Sequence, residues 1–418
     1  MVLDDPGVLA ALPTLAWPAL LLLAWLLGET AHRTLGLPRI SAYALVGVVA
    51  APAQLGWLPA HSPGLDLVAY TAFGLLLFEF GYRVNLRWFR HNPWLGVAAL
   101  VDALLCFAAI GTVAGLLGAD AASAALLAAL GMASSPAALV RVLNEERAAG
   151  QIAERLIHVA VVGCVLAVLA FKAVLAVHVY QSSGSLAQAA FAGGWALLLS
   201  AGLGLLAGVA MPAILSAPRP TIGRPPPAGV KDFGSGPSIL DSLPDQAPDS
   251  TLPYALAVIG LVGLSHLLQG SPIVAALAFG LTARHRRVVF ARSARGFGPL
   301  GDLLTLTLFV YLGSRLDLAQ VHQGLLLGLA LVLTRLLVTP AVMAGFAHVS
   351  GTTPRKGALT GIGLMPLSAF ALLLLEQSRH LQIDLLDRLA PLAAAILVLE
   401  LAGPLCTRLA LRWGGETR

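Results

Sequence analysis

The chain contains 418 residues, of which 58% are hydrophobic and only 11% are charged, and its mean hydropathy is +0.84. A water-soluble protein of this length could not bury so much apolar surface. The composition therefore excludes that class and predicts an all-α polytopic membrane protein in a lipid bilayer. The net charge of +5 does not indicate binding to nucleic acid, because the Lys and Arg residues lie in alternate loops between apolar segments.

Apolar segments long enough to cross a bilayer recur along the whole chain. A transmembrane helix needs about 20 apolar residues, and this criterion predicts about 13 helices. The second and ninth are short, as is common where Pro and Gly interrupt a helix. In chain order the predicted helices cover residues 13–33, 38–54, 65–82, 93–117, 121–143, 152–180, 188–214, 251–269, 272–284, 299–316, 322–349, 356–378 and 386–412.

The distribution of Lys and Arg predicts the orientation of these helices. If the N-terminus lies outside, 21 of the 26 Lys and Arg residues fall in inner loops or at inner helix ends. The positive-inside rule therefore predicts a protein of the inner or plasma membrane, with its N-terminus outside and its C-terminus in the cytoplasm. Arg315, Arg379 and Arg388 fall outside, and Lys172 and Arg335 fall within predicted helices.

A short cassette occurs twice and indicates an internal repeat. Residues 78–86 match residues 310–318, with Gly81 aligned to Gly313 at a distance of 232 positions. Many secondary transporters are built from two such halves in inverted orientation. The odd number of predicted helices likewise places the second half inverted in the membrane.

The repeats divide the chain into three predicted regions. Residues 1–216 form the first repeat and a linker helix (helices 1–7), and residues 251–418 form the second, inverted repeat (helices 8–13). Residues 217–250 between them are rich in Pro, Gly, Ser and Asp. This composition cannot bury a core and predicts a flexible cytoplasmic loop.

Glycine and proline interrupt one predicted helix in each repeat. Gly131 and Pro136 interrupt the fifth helix, and Gly363 and Pro366 interrupt the twelfth. Proline removes an amide donor and glycine tolerates unusual dihedral angles, so both segments predict discontinuous helices, which cross each other. We also expect a helix break at Gly313.

Freed backbone groups and half-helix ends near the bilayer midplane typically form an ion or polar-solute site. Ser134 and Ser135 lie in the first break, and Ser368 follows the second. We therefore expect these three serines to lie beside one ion-binding site at the crossing.

The order and spacing of four segments carry a family resemblance. Residues 36–47, 75–86, 308–313 and 361–368 together resemble the cation/proton antiporter superfamily, and within it the sodium/proton exchanger and glutathione-gated potassium efflux branch. The resemblance implies a secondary active transporter that exchanges a monovalent cation, Na⁺ or K⁺, for protons. It further implies a homodimer, in which a scaffold half stays fixed and a mobile half moves like an elevator.

The resemblance also implies a position for the acid that cation and proton occupy in turn. That position falls near Val162 and Gly163, but residues 156–177 contain no Asp or Glu. The helix carries His158 and Lys172 instead. The usual acid is therefore replaced, and an acid that couples protons must lie on another helix.

Two other intramembrane carboxylates are candidates for that role. Glu79 and Asp102 lie in the third and fourth predicted helices. A central charge costs about 2.5–3.5 kcal/mol on insertion scales, so each needs a partner or a path to water. One hypothesis pairs Glu79 or Asp102 with Lys172 in a displaced proton-coupling site. The alternative is a fixed structural ion pair.

The remaining polar residues have mainly structural interpretations. Histidine is the side chain that most readily changes its charge in a transport site, yet a lone His on a helix, such as His158, is more often a hydrogen-bonded packing residue. Arg315 is placed to neutralise nearby helix ends. We expect Arg335 to bond to carbonyls freed by Pro340, and Glu400 to cap a neighbouring helix.

Sequence motifs for other chemistry are absent. The chain has no phosphate loop, no His-Glu-x-x-His and no paired-Cys metal site, which disfavours an enzyme and predicts neither a cofactor nor a bound metal. Two other functions stay open. One is a transport-inactive homologue that serves as a membrane sensor or assembly partner. The other is transport of a different, possibly anionic, solute that uses the positive charge of Lys172.

Overall fold

The structure is a computed structural model that describes residues 6–56, 63–185, 194–215, 251–268, 270–286, 297–367 and 390–417. Within these ranges the chain forms 16 helices and no strand, which confirms the all-α fold. The first nine are α1 (Pro6–Leu35), α2 (Arg39–Ala50), α3 (Pro63–Arg83), α4 (Leu86–His91), α5 (Pro93–Leu116), α6 (Ala121–Gly131), α7 (Pro136–Glu145), α8 (Gln151–Ser183) and α9 (Ala196–Leu215). The others are α10 (Thr251–Leu267), α11 (Pro272–His285), α12 (Gly298–Ser314), α13 (Leu318–Gln323), α14 (Leu325–Gly345), α15 (Pro354–Gly363) and α16 (Ala390–Trp413).

Eight spans in the described ranges are long and apolar enough to cross a membrane, which confirms a polytopic membrane protein. They are α1, α3, α5, the α6–α7 pair, α8, α9, α14 and α16. The total of about 13 crossings stays a prediction. Two short helices, α4 and α13, were not predicted, because six residues carry too little apolar sequence to resemble a membrane segment.

The first break separates α6 from α7. α6 ends at Gly131, and α7 begins at Pro136 after four residues without helical structure. The Ser135 hydroxyl accepts a hydrogen bond from the N–H of Ala138 at 3.4 Å and so caps α7. Proline fits the first helical position because no partner is needed there for its missing amide hydrogen. The Ser-Pro pair thus starts a new helix inside one apolar span.

The second break follows α15. This helix begins at Pro354 behind a Thr353 cap and ends at Gly363, and residues 364–367 continue without helical structure. Ser368 and the predicted loop 217–250 lie outside the described residues. Pro366 is one of the four residues after Gly363, and it lies beside the first break. We call the region formed by residues 131–136 and 363–366 the crossing.

Helices α2 and α12 approach each other closely at two glycines. A Cβ on Gly47 would overlap the Val310 carbonyl group, and a Cβ on Gly313 would overlap the Ala44 carbonyl group. The expected helix break at Gly313 lies one residue before the last residue of α12, Ser314. The glycine also allows the two backbones to touch.

Helices α3 and α11 repeat this arrangement. A Cβ on Gly81 would overlap the Leu277 carbonyl group, and a Cβ on Gly280 would overlap the Phe78 carbonyl group. The aligned cassettes therefore use their glycines in the same way, with each repeat packing a helix against the other repeat.

Helix contacts divide most of the described chain into two packed groups. In the first group, α3 packs on α11, α2 on α12, and α9 on α11. In the second group, α5 packs on α6 and α14, and α14 packs on α15 and α16. The half-helix α7 contacts both groups, through α3 and through α8.

Most of the arginines in the described ranges lie at one end of the bundle, which we call the arginine-rich end. It comprises the last turns of α1, α3, α7 and α16 and the first turns of α2, α8 and α15. Its arginines include Arg33, Arg39, Arg83, Arg155, Arg355, Arg408 and Arg412.

Candidate functional site

The two breaks are joined by direct hydrogen bonds. The backbone N–H of Ser135 donates to the carbonyl oxygen of Pro366 at 2.6 Å. The Ser134 hydroxyl donates to the carbonyl oxygen of Leu364 at 2.9 Å. Backbone groups that leave the helical ladder in one repeat therefore find partners in the other, as an apolar environment requires.

Arg335, on α14, fills the space between the two broken helices. Its guanidinium donates to the carbonyl oxygen of Gly131, to the Ser134 hydroxyl at 2.9 Å and to the carbonyl oxygen of Leu364 at 2.8 Å. Gly131 is the last residue of α6 and Leu364 caps the end of α15, so the cation lies where two negative helix ends meet. We had expected Arg335 to bond to carbonyls freed by Pro340. That was wrong, because the acceptors belong to the crossing.

Asp102, on α5, lies near Arg335. Its carboxylate is buried, and the Cys106 thiol, one turn away, is 3.7 Å from it. The same thiol lies 3.3 Å from the Thr339 hydroxyl, one turn beyond Arg335 on α14. The guanidinium of Arg335 acts electrostatically on Asp102. Asp102 is about 14 Å along the 24-residue α5, close to its middle.

α8 covers another side of the crossing. The Cys164 thiol donates to the carbonyl oxygen of Ser134 at 3.1 Å. A Cβ on the neighbouring Gly163 would lie 3.9 Å from the carbonyl oxygen of Met132. The position that the resemblance assigns to an acid thus faces the first break and holds a glycine.

Glu79 lies at the arginine-rich end and away from the crossing. One of its carboxylate oxygens is 2.7 Å from the Arg83 guanidinium and accepts from the Asn144 side-chain amide at 3.2 Å. Arg83 also donates to the Asn144 side chain. These bonds tie α3 to α7 near the end of both helices.

Lys172 is buried on α8 without a hydrogen bond or ion pair to any described residue. It follows Gly163 by about two and a half turns, so the two residues lie on opposite faces of the helix. The hypothesis that pairs Lys172 with Glu79 or Asp102 therefore fails. The partner of Glu79 is Arg83, and Asp102 lies beside Cys106 and the charge of Arg335.

His158 is a packing residue at the arginine-rich end. Its Nε2 accepts from the backbone N–H of Asn85 at 3.1 Å, and its Nδ1 donates to the carbonyl oxygen of Glu154 at 2.7 Å. The ring also packs on Trp88 and Phe89, with centroid distances of 4.6 and 5.0 Å. Both nitrogens are thus occupied as in a neutral imidazole, and the residue is not in the crossing.

Arg315 lies at the opposite end of the bundle. Its guanidinium is 2.7 Å from a carboxylate oxygen of Asp66 and 2.7 Å from the hydroxyl of Tyr311. We had expected it to neutralise helix ends. It instead forms an ion pair that ties α12 to the start of α3.

A network of ion pairs at the arginine-rich end was not predicted. Glu145 on α7 is 3.0 Å from Arg39 on α2 and 2.8 Å from His32 on α1. The next residue, Glu146, forms ion pairs with Arg408 and, at 3.3 Å, with Arg412 on α16. These contacts join residues up to 266 positions apart, so no local pattern marks them.

The C-terminal tail closes the same end. The Glu416 carboxylate accepts from the N–H of Ile152 at 2.9 and 2.8 Å and from the N–H of Ala153 at 3.0 Å. These are free amides in the first turn of α8, where a negative charge is favoured. Lys356, in the first turn of α15, lies 3.5 Å from the same carboxylate.

Two structures of the sodium proton antiporter MjNhaP1 from Methanocaldococcus jannaschii are similar to the chain. The structure at pH 8 has a TM-score of 0.63 and 17% identity, over 96% of this chain and 97% of that chain. The electron-microscopy structure has a TM-score of 0.64 and 18% identity, over 94% of this chain and 95% of that chain. At this level of identity the likeness shows a shared fold.

No curated protein sequence matched the chain. The family model for the transmembrane region of sodium/hydrogen exchangers matches residues 19–413, which is nearly the whole chain. The chain therefore belongs to the sodium/hydrogen exchanger family.

Proposed function

We propose that the chain is a secondary transporter of the cell membrane that exchanges a monovalent cation for protons, with Asp102 as the carboxylate that binds each in turn. The observation that carries this proposal is a buried acid at the middle of a membrane helix, beside the crossing of two broken helices. A midplane site beside half-helix ends is where transporters of this design bind ions.

The oxygens around Asp102 suit an alkali cation. The carboxylate supplies charge, and the hydroxyl of Thr339, which shares the Cys106 thiol with Asp102, supplies a neutral oxygen ligand. Hard cations prefer such ligands. A cation favours the ionised carboxylate, whereas a proton neutralises the carboxylate and lets the cation leave.

Arg335 supports this exchange from a fixed position. Its bonds to both broken helices hold the crossing together while Asp102 changes its charge. In the absence of a bound cation, the guanidinium is the positive charge that balances the carboxylate. Loss of Asp102 therefore removes the exchangeable charge and leaves the crossing intact.

The two packed groups of helices support an elevator-like movement. The group around α2, α3, α11 and α12 packs through glycines on flat helix faces, and the group around α5, α14 and α15 carries the crossing. Ion pairs at the arginine-rich end connect the groups: Arg39 with Glu145, and Arg141 with Asp302 at 2.6 Å. Movement of the site across the membrane requires these pairs to open.

Family likeness supports two further parts of the proposal. We expect a homodimer, in which apolar helices such as α1 meet a second copy. We also expect the arginine-rich end to face the cytoplasm, in accordance with the positive-inside rule.

The test is proton flux in proteoliposomes, measured with a pH-sensitive dye after addition of Na⁺, K⁺ or Li⁺. Wild-type protein should change the internal pH on addition of at least one cation, and Asp102→Asn should abolish the response. Glu154→Gln is the matched control, because Glu154 is 55% exposed and lies outside the site.

Three results would overturn this proposal. Normal exchange by Asp102→Asn would exclude Asp102 as the coupling acid. Silence of folded wild-type protein with all three cations would favour a transport-inactive sensor or assembly partner. A response to anionic solutes would instead favour a site that uses Lys172.

A further inference from the structure

Glu400 is a second intramembrane carboxylate that the proposed exchange does not use. It lies on α16, about 15 Å from the start of this 24-residue helix, and only 3% of its surface is exposed. Neither carboxylate oxygen has a hydrogen-bond partner among the described residues. A buried polar group without a partner is rare in native proteins and needs a physical explanation.

Glu400 lies on the face of α16 that packs against the second break. Gly403 and Thr407 follow it at three and seven residues, so the three side chains share one face. The Thr407 hydroxyl donates to the carbonyl oxygen of Gly363 at 2.8 Å, and a Cβ on Gly403 would overlap Pro366. Glu400 therefore lies one turn beyond the crossing, farther from the arginine-rich end.

Charged groups on the helices that pack against α16 have partners other than Glu400. α2, α7, α13, α14 and α15 pack against α16. Arg335 bonds to the crossing, and Lys356 pairs with Glu416. Arg39 and Glu145 pair with each other, and Arg141 pairs with Asp302. The remaining titratable groups on these five helices are Tyr43, packed against Gly28, Arg355, bonded to the Trp413 carbonyl, and His322, which is exposed.

We propose that Glu400 is a proton-binding site of the transporter, held as the neutral acid in the conformation described here. An ionised carboxylate at this depth would have neither a counter-ion nor a hydrogen-bond donor in the part of the chain that the structure describes, whereas the protonated acid carries no net charge. The ligand of this site is therefore a proton. Release to water would convert the carboxylic acid to a carboxylate, and uptake from water would reverse the step.

The position of Glu400 couples this proton to the crossing. Glu400 lies on α16, which packs on the second break through Thr407 and Gly403, whereas Asp102 lies on α5 near Arg335. A rearrangement of the crossing that admits water on the α16 side would release the proton. This step rests on the proposed function and adds a second proton to each transport cycle.

Infrared difference spectroscopy tests the protonation directly, with or without transport. Purified protein is compared between acidic and alkaline pH in light and heavy water. Wild type should show a carbonyl stretch of a buried, protonated carboxylic acid, and Glu400→Gln should lose that band. Glu154→Gln, the exposed control, should keep it. An unchanged carboxylic-acid band in Glu400→Gln would overturn the proposal.

A second variant keeps the proposal testable if Glu400→Gln does not fold. Glu400→Leu should keep the melting temperature of wild type or raise it, because an unpaired neutral acid loses no ion pair when it becomes apolar. A marked loss of melting temperature would reveal a hidden ionic partner and contradict the neutral acid.

The reversal potential of exchange tests the coupling. Where wild type exchanges cations for protons, Glu400→Gln should move one proton fewer per cycle, and Glu154→Gln should match wild type. Unchanged stoichiometry would exclude Glu400 from the cycle. Absence of exchange by wild type would refute the proposed function, and the infrared comparison would still decide whether Glu400 binds a proton.

Discussion

Charged side chains at the arginine-rich end and those near the bilayer midplane have opposite surroundings. At the arginine-rich end, buried carboxylates have cationic or amide partners, as Glu79, Glu146 and Glu416 illustrate. Near the midplane, Lys172 has no partner among the described residues, and the oxygens of Glu400 have none. The first arrangement fixes helix positions. The second leaves groups whose charge can change, which is what ion exchange requires.

Arg335 lies near the midplane and has several partners, and its removal should have the largest effect on stability. Arg335→Met withdraws donors from Gly131, Ser134 and Leu364 at two helix ends, and the loss should be about 3–5 kcal/mol. Thermal unfolding in detergent would measure it. Arg335→Lys should recover only part of the loss, because one ammonium cannot match the fork of a guanidinium. A wild-type melting temperature in Arg335→Met would contradict this role.

Glu146 gives the strongest test of the arginine-rich end. Glu146→Gln leaves Arg408, whose side chain is only 7% exposed, without its anion, and should cost about 3 kcal/mol. Chemical unfolding followed by tryptophan fluorescence would report the change. The matched control is Glu29→Gln, whose partner Arg33 is 74% exposed and whose other partner, Arg39, retains Glu145. Equal losses of unfolding free energy in both variants would show that burial of the ion pair does not determine its contribution to stability.

Glu416 should contribute less to the free energy of unfolding, because water can replace its bonds to the first turn of α8. Glu416→Gln keeps an oxygen for the amides of Ile152 and Ala153 but removes the charge, so the cost should be about 1–2 kcal/mol. The rate of amide hydrogen–deuterium exchange in the first turn of α8 should rise. Unchanged exchange there would show that the tail does not cap the helix.

Lys172 should show the smallest change and the opposite sign. Lys172→Met removes a buried charge without breaking a described bond, so unfolding free energy should stay equal or rise by about 1 kcal/mol. The melting temperature is the measurement, with wild type as reference. A clear loss would point to an ionic partner beyond the described residues.

The sequence predicts the helices and both breaks well, because their signals are local. A run of apolar residues marks a span, and Ser135-Pro136 marks a new helix start. The close contact of Gly313 with Ala44 was not predicted, because glycine is common both at helix ends and at close helix contacts.

The candidate site was less predictable, because its contacts join distant parts of the chain. Arg335 bonds to Gly131, 204 positions away, and sequence periodicity does not reveal that α14 touches the end of α6. The hypothesis for Lys172 failed for the same reason, since one sequence does not show which helices touch. Glu400 was noted as a helix cap, but its isolation becomes visible only in the packed structure.

The most direct measurement compares Glu79→Gln with Asp102→Asn in the same preparations, for both melting temperature and cation-driven proton flux. Glu79→Gln breaks an ion pair at the arginine-rich end, so it should lower the melting temperature and retain exchange. Asp102→Asn keeps the bonds of Arg335 to both broken helices, so the variant should stay folded under the assay conditions and lose exchange. Exchange that is lost in Glu79→Gln and normal in Asp102→Asn would contradict this account, in which Glu79 holds helices in place and Asp102 binds the exchanged ions.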